Sequence, residues 1–211
     1  MVKPSLSVAT EVLFANAESI TGPARLRITL TGGIAPLGSD RGDALPTIVV
    51  AMMGSTSWPQ VTSIVSVPWV RNERSAITGA KTTSYAENVV ALNYAHTRGA
   101  SEAIFANTVG GLCEGTGSNV FVVVDGVAMT PKLSSGCLAG ITRELVLEWS
   151  EVQELDLDLE ILRTADEIFL TSSTRDVHPV TRVDDREMEV GPVTSGIRET
   201  FRLRSSADLD P

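Results

Sequence analysis

Four stretches of this chain carry residue types that can do chemistry together. The first is Ala80-Lys81-Thr82-Thr83-Ser84-Tyr85-Ala86-Glu87-Asn88-Val89. Lys81 sits among small and hydroxyl residues just ahead of a helix start. Ser84 can cap that helix, and Glu87 stands at the capping-box spacing. A long amine on such a short connection can point into a cleft, where desolvation removes its proton and makes it a nucleophile towards carbonyls. Taken alone, the stretch is read more simply as an exposed lysine in a polar loop, because most lysines stay in water. The second stretch is Cys113-Glu114-Gly115-Thr116-Gly117-Ser118-Asn119. A carboxylate in this apolar, glycine-rich setting is costly to bury without a cation. Glu114 can hold a proton on a ring nitrogen, or be an ordinary turn acid. The third is Gly136-Cys137-Leu138-Ala139-Gly140-Ile141-Thr142-Arg143, where a helix N-terminus and a hydroxyl suit a phosphate. Its plain alternative is a helix start with no ligand. The fourth, Thr171-Ser172-Ser173-Thr174 at a strand end, offers more donors or is a polar loop.

The elements that must position these stretches read as follows. Leu6 to Asn16 has Val8, Val12 and Leu13 at helical spacing, and Gly22-Pro23 breaks the chain. Arg25 to Thr31 alternates, with Leu26, Ile28 and Leu30 on one face, as a half-buried strand does. A Gly/Asp/Pro-rich loop follows to Pro46. Thr47 to Met53 and Val61 to Val70 are further strands. Arg71 to Gly79 is a polar connection, and the domain boundary is placed there, with domains at 1–76 and 80–211. Tyr85 to Arg98 is a helix stopped by Gly99. Glu102 to Asn107 is a strand, Gly110-Gly111 a turn, and Asp125-Gly126 joins Asn119–Val124 to Val127–Thr130 as a hairpin. A helix runs from Gly140 to about Trp149. Glu151 to Glu160 is acidic and weakly patterned. Glu167 to Thr171 is a strand, and Pro192 to Arg204 a closing helix with proline in its first turn.

Composition narrows the function. The 211 residues are 43% hydrophobic and 20% charged, as in a globular protein, with a net charge of −9. That balance argues against nucleic-acid binding, which needs a basic surface. No apolar run reaches membrane-spanning length, and no signal-peptide core opens the chain, which reads as cytoplasmic. Cys113, Cys137, His96 and His178 match no metal spacing, so no metal is expected and the cysteines read as buried free thiols.

A lysine amine, a buried acid and a phosphate cradle are the parts that pyridoxal 5'-phosphate needs: an amine for its aldehyde, a carboxylate for its pyridine nitrogen, donors for its phosphate. In this order they resemble the fold-type IV pyridoxal-phosphate enzymes, the class IV aminotransferases. These include branched-chain and D-amino-acid aminotransferases and aminodeoxychorismate lyase. The matching residues are Lys81 with Tyr85, Cys113 to Phe121, Thr130-Pro131, Leu138 to Arg143, Ala165 to Ser173, His178-Pro179-Val180 and Gly191 to Thr194. The resemblance implies Lys81 as the cofactor lysine and proton carrier, and Glu114 at the pyridine nitrogen. It places Leu138, Gly140, Ile141 and Thr142 at the phosphate and ring. Ser173 and Thr174 fall at the loop serving phosphate and substrate carboxylate. Tyr85 falls at the ring hydroxyl, one residue nearer the lysine than in branched-chain enzymes. It also implies a mixed α/β fold of two domains with the cofactor between them, in a homodimer acting on amino and 2-oxo acids.

Two departures accompany the resemblance. Family members carry more chain before the region matching Leu6, and that part supplies an arginine for the cofactor phosphate. A truncated start or a degenerate protein is therefore expected, with a small domain incomplete at its N-terminus, unpaired strand edges and exposed apolar surface. At Thr31-Gly32-Gly33, Gly32 stands where D-amino-acid aminotransferases and the lyases tend to have arginine. Arg27 or Arg41 is the candidate substitute for the substrate carboxylate, and a solvated surface arginine is the alternative. The first reading is an amino-acid aminotransferase, because the 171–174 loop resembles the transaminases. The second is aminodeoxychorismate lyase, and the third an inactive remnant.

Overall fold

The computed structural model describes residues 2–15, 20 and 22–208. Its chain divides into two units between Ser57 and Trp58. The first holds helix α1 (Val2–Ala15) and a ribbon of strands β1 (Ala24–Thr31) and β2 (Thr47–Gly54), antiparallel with Ile28 opposite Val50. Asn16, the expected helix end, lies outside the described residues. The alternating face of β1 was expected to be half-buried. Leu26, Ile28 and Leu30 are instead exposed, at 39%, 51% and 56%. Among the described residues the ribbon has no third strand, and helix α1 packs chiefly on β2, so this face of β1 stays open.

In the second unit a single hydrogen-bonded sheet collects the remaining strands. These are β3 (Thr62–Arg71), β4 (Glu102–Asn107), β5 (Leu112–Gly115), β6 (Asn119–Val124), β7 (Val127–Pro131), β8 (Val152–Leu155), β9 (Glu167–Ser172), β10 (Asp176–Val183) and β11 (Arg186–Glu187). Their order is β5-β4-β3-β10-β9-β6-β7-β8, with β11 beside β10. The pairs β3–β4 and β7–β8 are parallel. Each needs a crossover, supplied by α2 (Ala86–His96) and α3 (Ile141–Trp149). Helix α4 (Pro192–Ala207) closes the chain. At its far end β5 comes back against β6 and β7, so the sheet curls on itself.

Both faces of β6 are covered, which is why it reads as a continuous apolar run. Val120 and Val122 join Ile64, Ile104, Leu162 and Leu170 on one side. Phe121 and Val123 join Val146, Ile197 and Phe201 of the two helices on the other. Phe121 stacks on Phe169 with ring centroids 4.6 Å apart.

Three sequence expectations shift here. The boundary placed after residue 76 moves ahead of β3, because β3 pairs with β4 and β10 rather than with the β1–β2 ribbon. The capping box is not formed. Tyr85 is the N-cap of α2, no side chain caps it, and the Glu87 carboxylate is taken by Arg71 at 2.7 Å. Finally, β5, β8, β10 and β11 add four strands, β8 from the weakly patterned acidic stretch and β10 running through Pro179.

Candidate active site

A cavity of about 550 Å³ opens in the second unit, and the four chemical stretches meet around it. Lys81 lies on the connection from β3 to α2, and its Nζ donates to the Tyr85 hydroxyl at 3.3 Å. The lysine is exposed at the cavity wall rather than desolvated. Glu114, on β5, faces the same space with 15% of its side chain exposed. Burial pushes its carboxyl above the ordinary range. The Leu138 N–H, the Arg71 guanidinium and, more weakly, the Lys81 ammonium pull it back. Lys81 and Glu114 therefore line one cavity.

Arg71, at the end of β3, organises this wall. Its Nε donates to Glu114 Oε1 at 3.2 Å, a second nitrogen to Glu87 Oε2 at 2.7 Å, and the third to the Asn88 side chain. The guanidinium also lies over the Phe105 ring, 4.2 Å from its centroid. Sequence reasoning left Arg71 in the polar connection. The available signal was its position as the cation ending the strand that leads into the Lys81 loop.

The lining continues at Leu138. Glu114 Oε2 accepts its N–H at 2.9 Å, and Asn119 Nδ2 donates to its carbonyl at 2.7 Å. This clamp fixes the approach to α3, whose N-cap is Gly140 with no side-chain cap. The first amides of a helix have no intrahelical partner, so those at Ile141 and Thr142 are open to an anion. A Cβ on Gly140 would run into Asn119 Oδ1. Leu138, Gly140, Ile141 and Thr142 all line the cavity.

Thr171, Ser172 and Ser173 line it from the end of β9, while Thr174 is exposed and does not. Thr171, 1% exposed, has a hydroxyl with no hydrogen-bond partner. The same lining holds Ile141 and Thr142 of the α3 start. Every lining residue belongs to the second unit. Arg27 and Arg41 are exposed residues of the first, and Arg41 donates to the Ala44 carbonyl of its own loop at 3.0 Å. Cys113 and Cys137 are free and buried, and burial pushes both thiols up. Together the walls offer an amine for a carbonyl, an acid across from it, and a hydroxyl-and-amide pocket for an anion. Among the described residues, no helix is long and apolar enough to cross a membrane.

The comparisons with known proteins point the same way. The profile described as amino-transferase class IV matches residues 6–183. A Methanocaldococcus jannaschii protein provisionally named a branched-chain-amino-acid aminotransferase is 33% identical over 85% of this chain and 66% of its own length. The branched-chain-amino-acid aminotransferase of Salmonella typhimurium is 32% identical over 72% of this chain and 52% of its own. The chain thus spans half to two thirds of these relatives. Among solved structures, the Thermoproteus uzoniensis branched-chain aminotransferase with norvaline superposes with a TM-score of 0.85 at 29% identity, covering 95% of this chain and 69% of that one. A Legionella pneumophila protein provisionally named 4-amino-4-deoxychorismate lyase gives 0.79 at 26%, covering 87% and 69%.

Proposed function

The chain belongs to the class IV amino-transferase family, and from that premise we propose that it holds pyridoxal 5'-phosphate in this cavity and moves an amino group between an amino acid and a 2-oxo acid. The observation that carries the reading is that Lys81 and the buried Glu114 carboxyl line one cavity together with the α3 start and Thr171. The residues present fit the group. The open amides of α3 and the orphan Thr171 hydroxyl suit a phosphate. Glu114, raised by burial, gains from a protonated ring nitrogen brought beside it, because a cation offsets the desolvation of its charge.

Bound there, the cofactor would supply an aldehyde for an amine and a ring that takes up electrons. The chain's own residues do the rest. Lys81 Nζ holds the aldehyde end and then takes and returns a proton. Tyr85, hydrogen-bonded to that nitrogen, orients it. Glu114 keeps a proton on the ring nitrogen, and Arg71 keeps Glu114 in place. The Leu138 clamp and α3 anchor the phosphate end, which fixes the reacting end relative to Lys81.

Borohydride reduction of the cofactor-loaded protein followed by peptide mapping tests this reading: the label belongs on Lys81, and its absence selects the inactive remnant. The lyase reading draws on the Legionella similarity, and pyruvate release without an added amino acceptor would select it. Pairing with a second copy is part of the same proposal, and analytical ultracentrifugation checks it.

A further inference from the structure

Glu102 is 2% exposed, sits on β4 outside the cavity wall, and has no part in the chemistry above. Its carboxylate nonetheless gathers more donors than a strand residue needs. Oε1 accepts the Thr116 N–H at 3.0 Å, the Ala103 N–H at 3.1 Å and the Thr116 hydroxyl. Oε2 accepts the Ser118 hydroxyl at 3.0 Å and lies 3.7 Å from the Arg175 guanidinium. Arg175, its side chain 5% exposed, donates to the Ser101 carbonyl at 3.2 Å and stacks over Trp58 at 3.7 Å. Its own N–H is bonded to Ser172, both at the carbonyl (3.1 Å) and at the hydroxyl (3.2 Å).

We infer that Glu102 is a positioning residue of the cofactor site, acting from behind its wall to hold two cavity loops in register. One is the 115–118 turn, whose two ends carry Glu114 and Asn119, the side chains that clamp Leu138. The other is the 172–175 loop, tied through Arg175. The turn has little freedom of its own to find this arrangement. Gly115 N–H bonds across the turn to Ser118 O at 2.8 Å, and a Cβ on Gly115 would run into Ser118 Oγ and stand 3.1 Å from Glu102 Cδ. A buried carboxylate with four donors and one guanidinium is satisfied only when both loops are in place. The inference rests on the cofactor reading for its consequence, but not for its geometry.

Glu102→Gln keeps the volume but sets an amide donor against either Arg175 or the turn. Arg175→Met removes the other partner and serves if the first variant folds poorly. Amide hydrogen exchange of the cofactor-free protein is read at 115–118 and 172–175. Tryptophan fluorescence gives the pyridoxal-phosphate Kd well below the melting temperature. Both variants are expected to exchange faster in both loops and to bind about tenfold more weakly, since a small misplacement at a positioned site costs that much or more. The double variant should be no worse than the poorer single one, because one coupling is lost. A merely structural glutamate would lower the melting temperature and leave Kd alone. Exchange in both loops and Kd within about twofold of wild type, below the loss expected for misplacement, overturn the inference. If the wild type takes up no pyridoxal phosphate, the functional reading falls, and the exchange data still decide the role of Glu102.

Discussion

Replacing Arg71 with methionine removes the cation that holds Glu114. Both side chains are about six-sevenths buried, at 16% and 15% exposure, and the nitrogen lies 3.2 Å from the oxygen. Breaking a buried pair by deleting one partner costs about 3–5 kcal/mol. The residual exposure puts this pair at the lower end, about 3 kcal/mol. The arm to Glu87 adds little, because Glu87 is half exposed. For a unit of this size the loss is about 6–12 °C in melting temperature. The pH dependence carries the stronger test. Burial already raises the folded Glu114 pKa above its unfolded value, so ionised Glu114 opposes folding at neutral pH. That cost fades as pH falls through the folded pKa towards the ordinary carboxylate value. Without Arg71 the folded pKa rises further, so the variant's deficit should shrink as the solution is acidified from neutrality to about pH 5. His178, whose pKa burial lowers, destabilises both proteins alike below its ordinary value. The difference between them therefore isolates Glu114. Glu114→Gln on top of Arg71→Met should recover most of the loss. Thermal melts of the four proteins across that pH range check this. A deficit independent of pH and undiminished by Glu114→Gln would refute the claim that Arg71 acts on the Glu114 charge.

Three further changes give distinct outcomes. Lys81→Ala should leave the unfolding free energy of the cofactor-free protein within about 0.5 kcal/mol of wild type, as exposed substitutions do, while abolishing the borohydride-fixed label seen by mass spectrometry. Thr171→Val removes an unpartnered buried hydroxyl. It should stabilise the cofactor-free protein by about 1 kcal/mol and weaken phosphate-dependent cofactor binding, two opposite signs readable by melting and titration. Gly140→Ala drives a methyl into Asn119 and should cost about 1–3 kcal/mol, with weaker inorganic-phosphate binding by calorimetry.

What the sequence showed was whatever is local. The apolar run of β6 declares itself within a few residues, whereas Lys81, the Glu114 block and the α3 start each had a plain alternative and became candidates only through their order along the chain. What stayed hidden depends on distant partners. Arg71 reaches Glu114 across 43 positions, and Glu102 finds Arg175 from another strand, so neither stretch signals the pair. β3 was assigned to the first domain because it follows β2 in order, yet its partners β4 and β10 come later in the chain. Pro179 masked β10, since proline inside a strand argues against one; here it sits where β10 passes from pairing with β9 to pairing with β3. In the 171–174 loop the hydroxyl types alone gave no hint that Thr171 is the buried donor and Thr174 the solvated one.

β10 runs antiparallel to β9 on one side and parallel to β3 on the other. The Lys81 loop, Arg71 and Glu114 hang from the β3–β4–β5 half of the sheet. Thr171 and the approach to α3 hang from the β9–β6–β7 half. The hydrogen-bonded ladder joins the amine half to the anion half through β10, while the return of β5 against β6 and β7 and the Leu138–Glu114 bond link them on the other side. Any event that loosens β10, such as proteolysis at Asp176 or local melting of its eight residues, would open the ladder between the halves and breach the core they share, since Ile64 and Ile104 of one half pack with Val120, Val122 and Leu170 of the other.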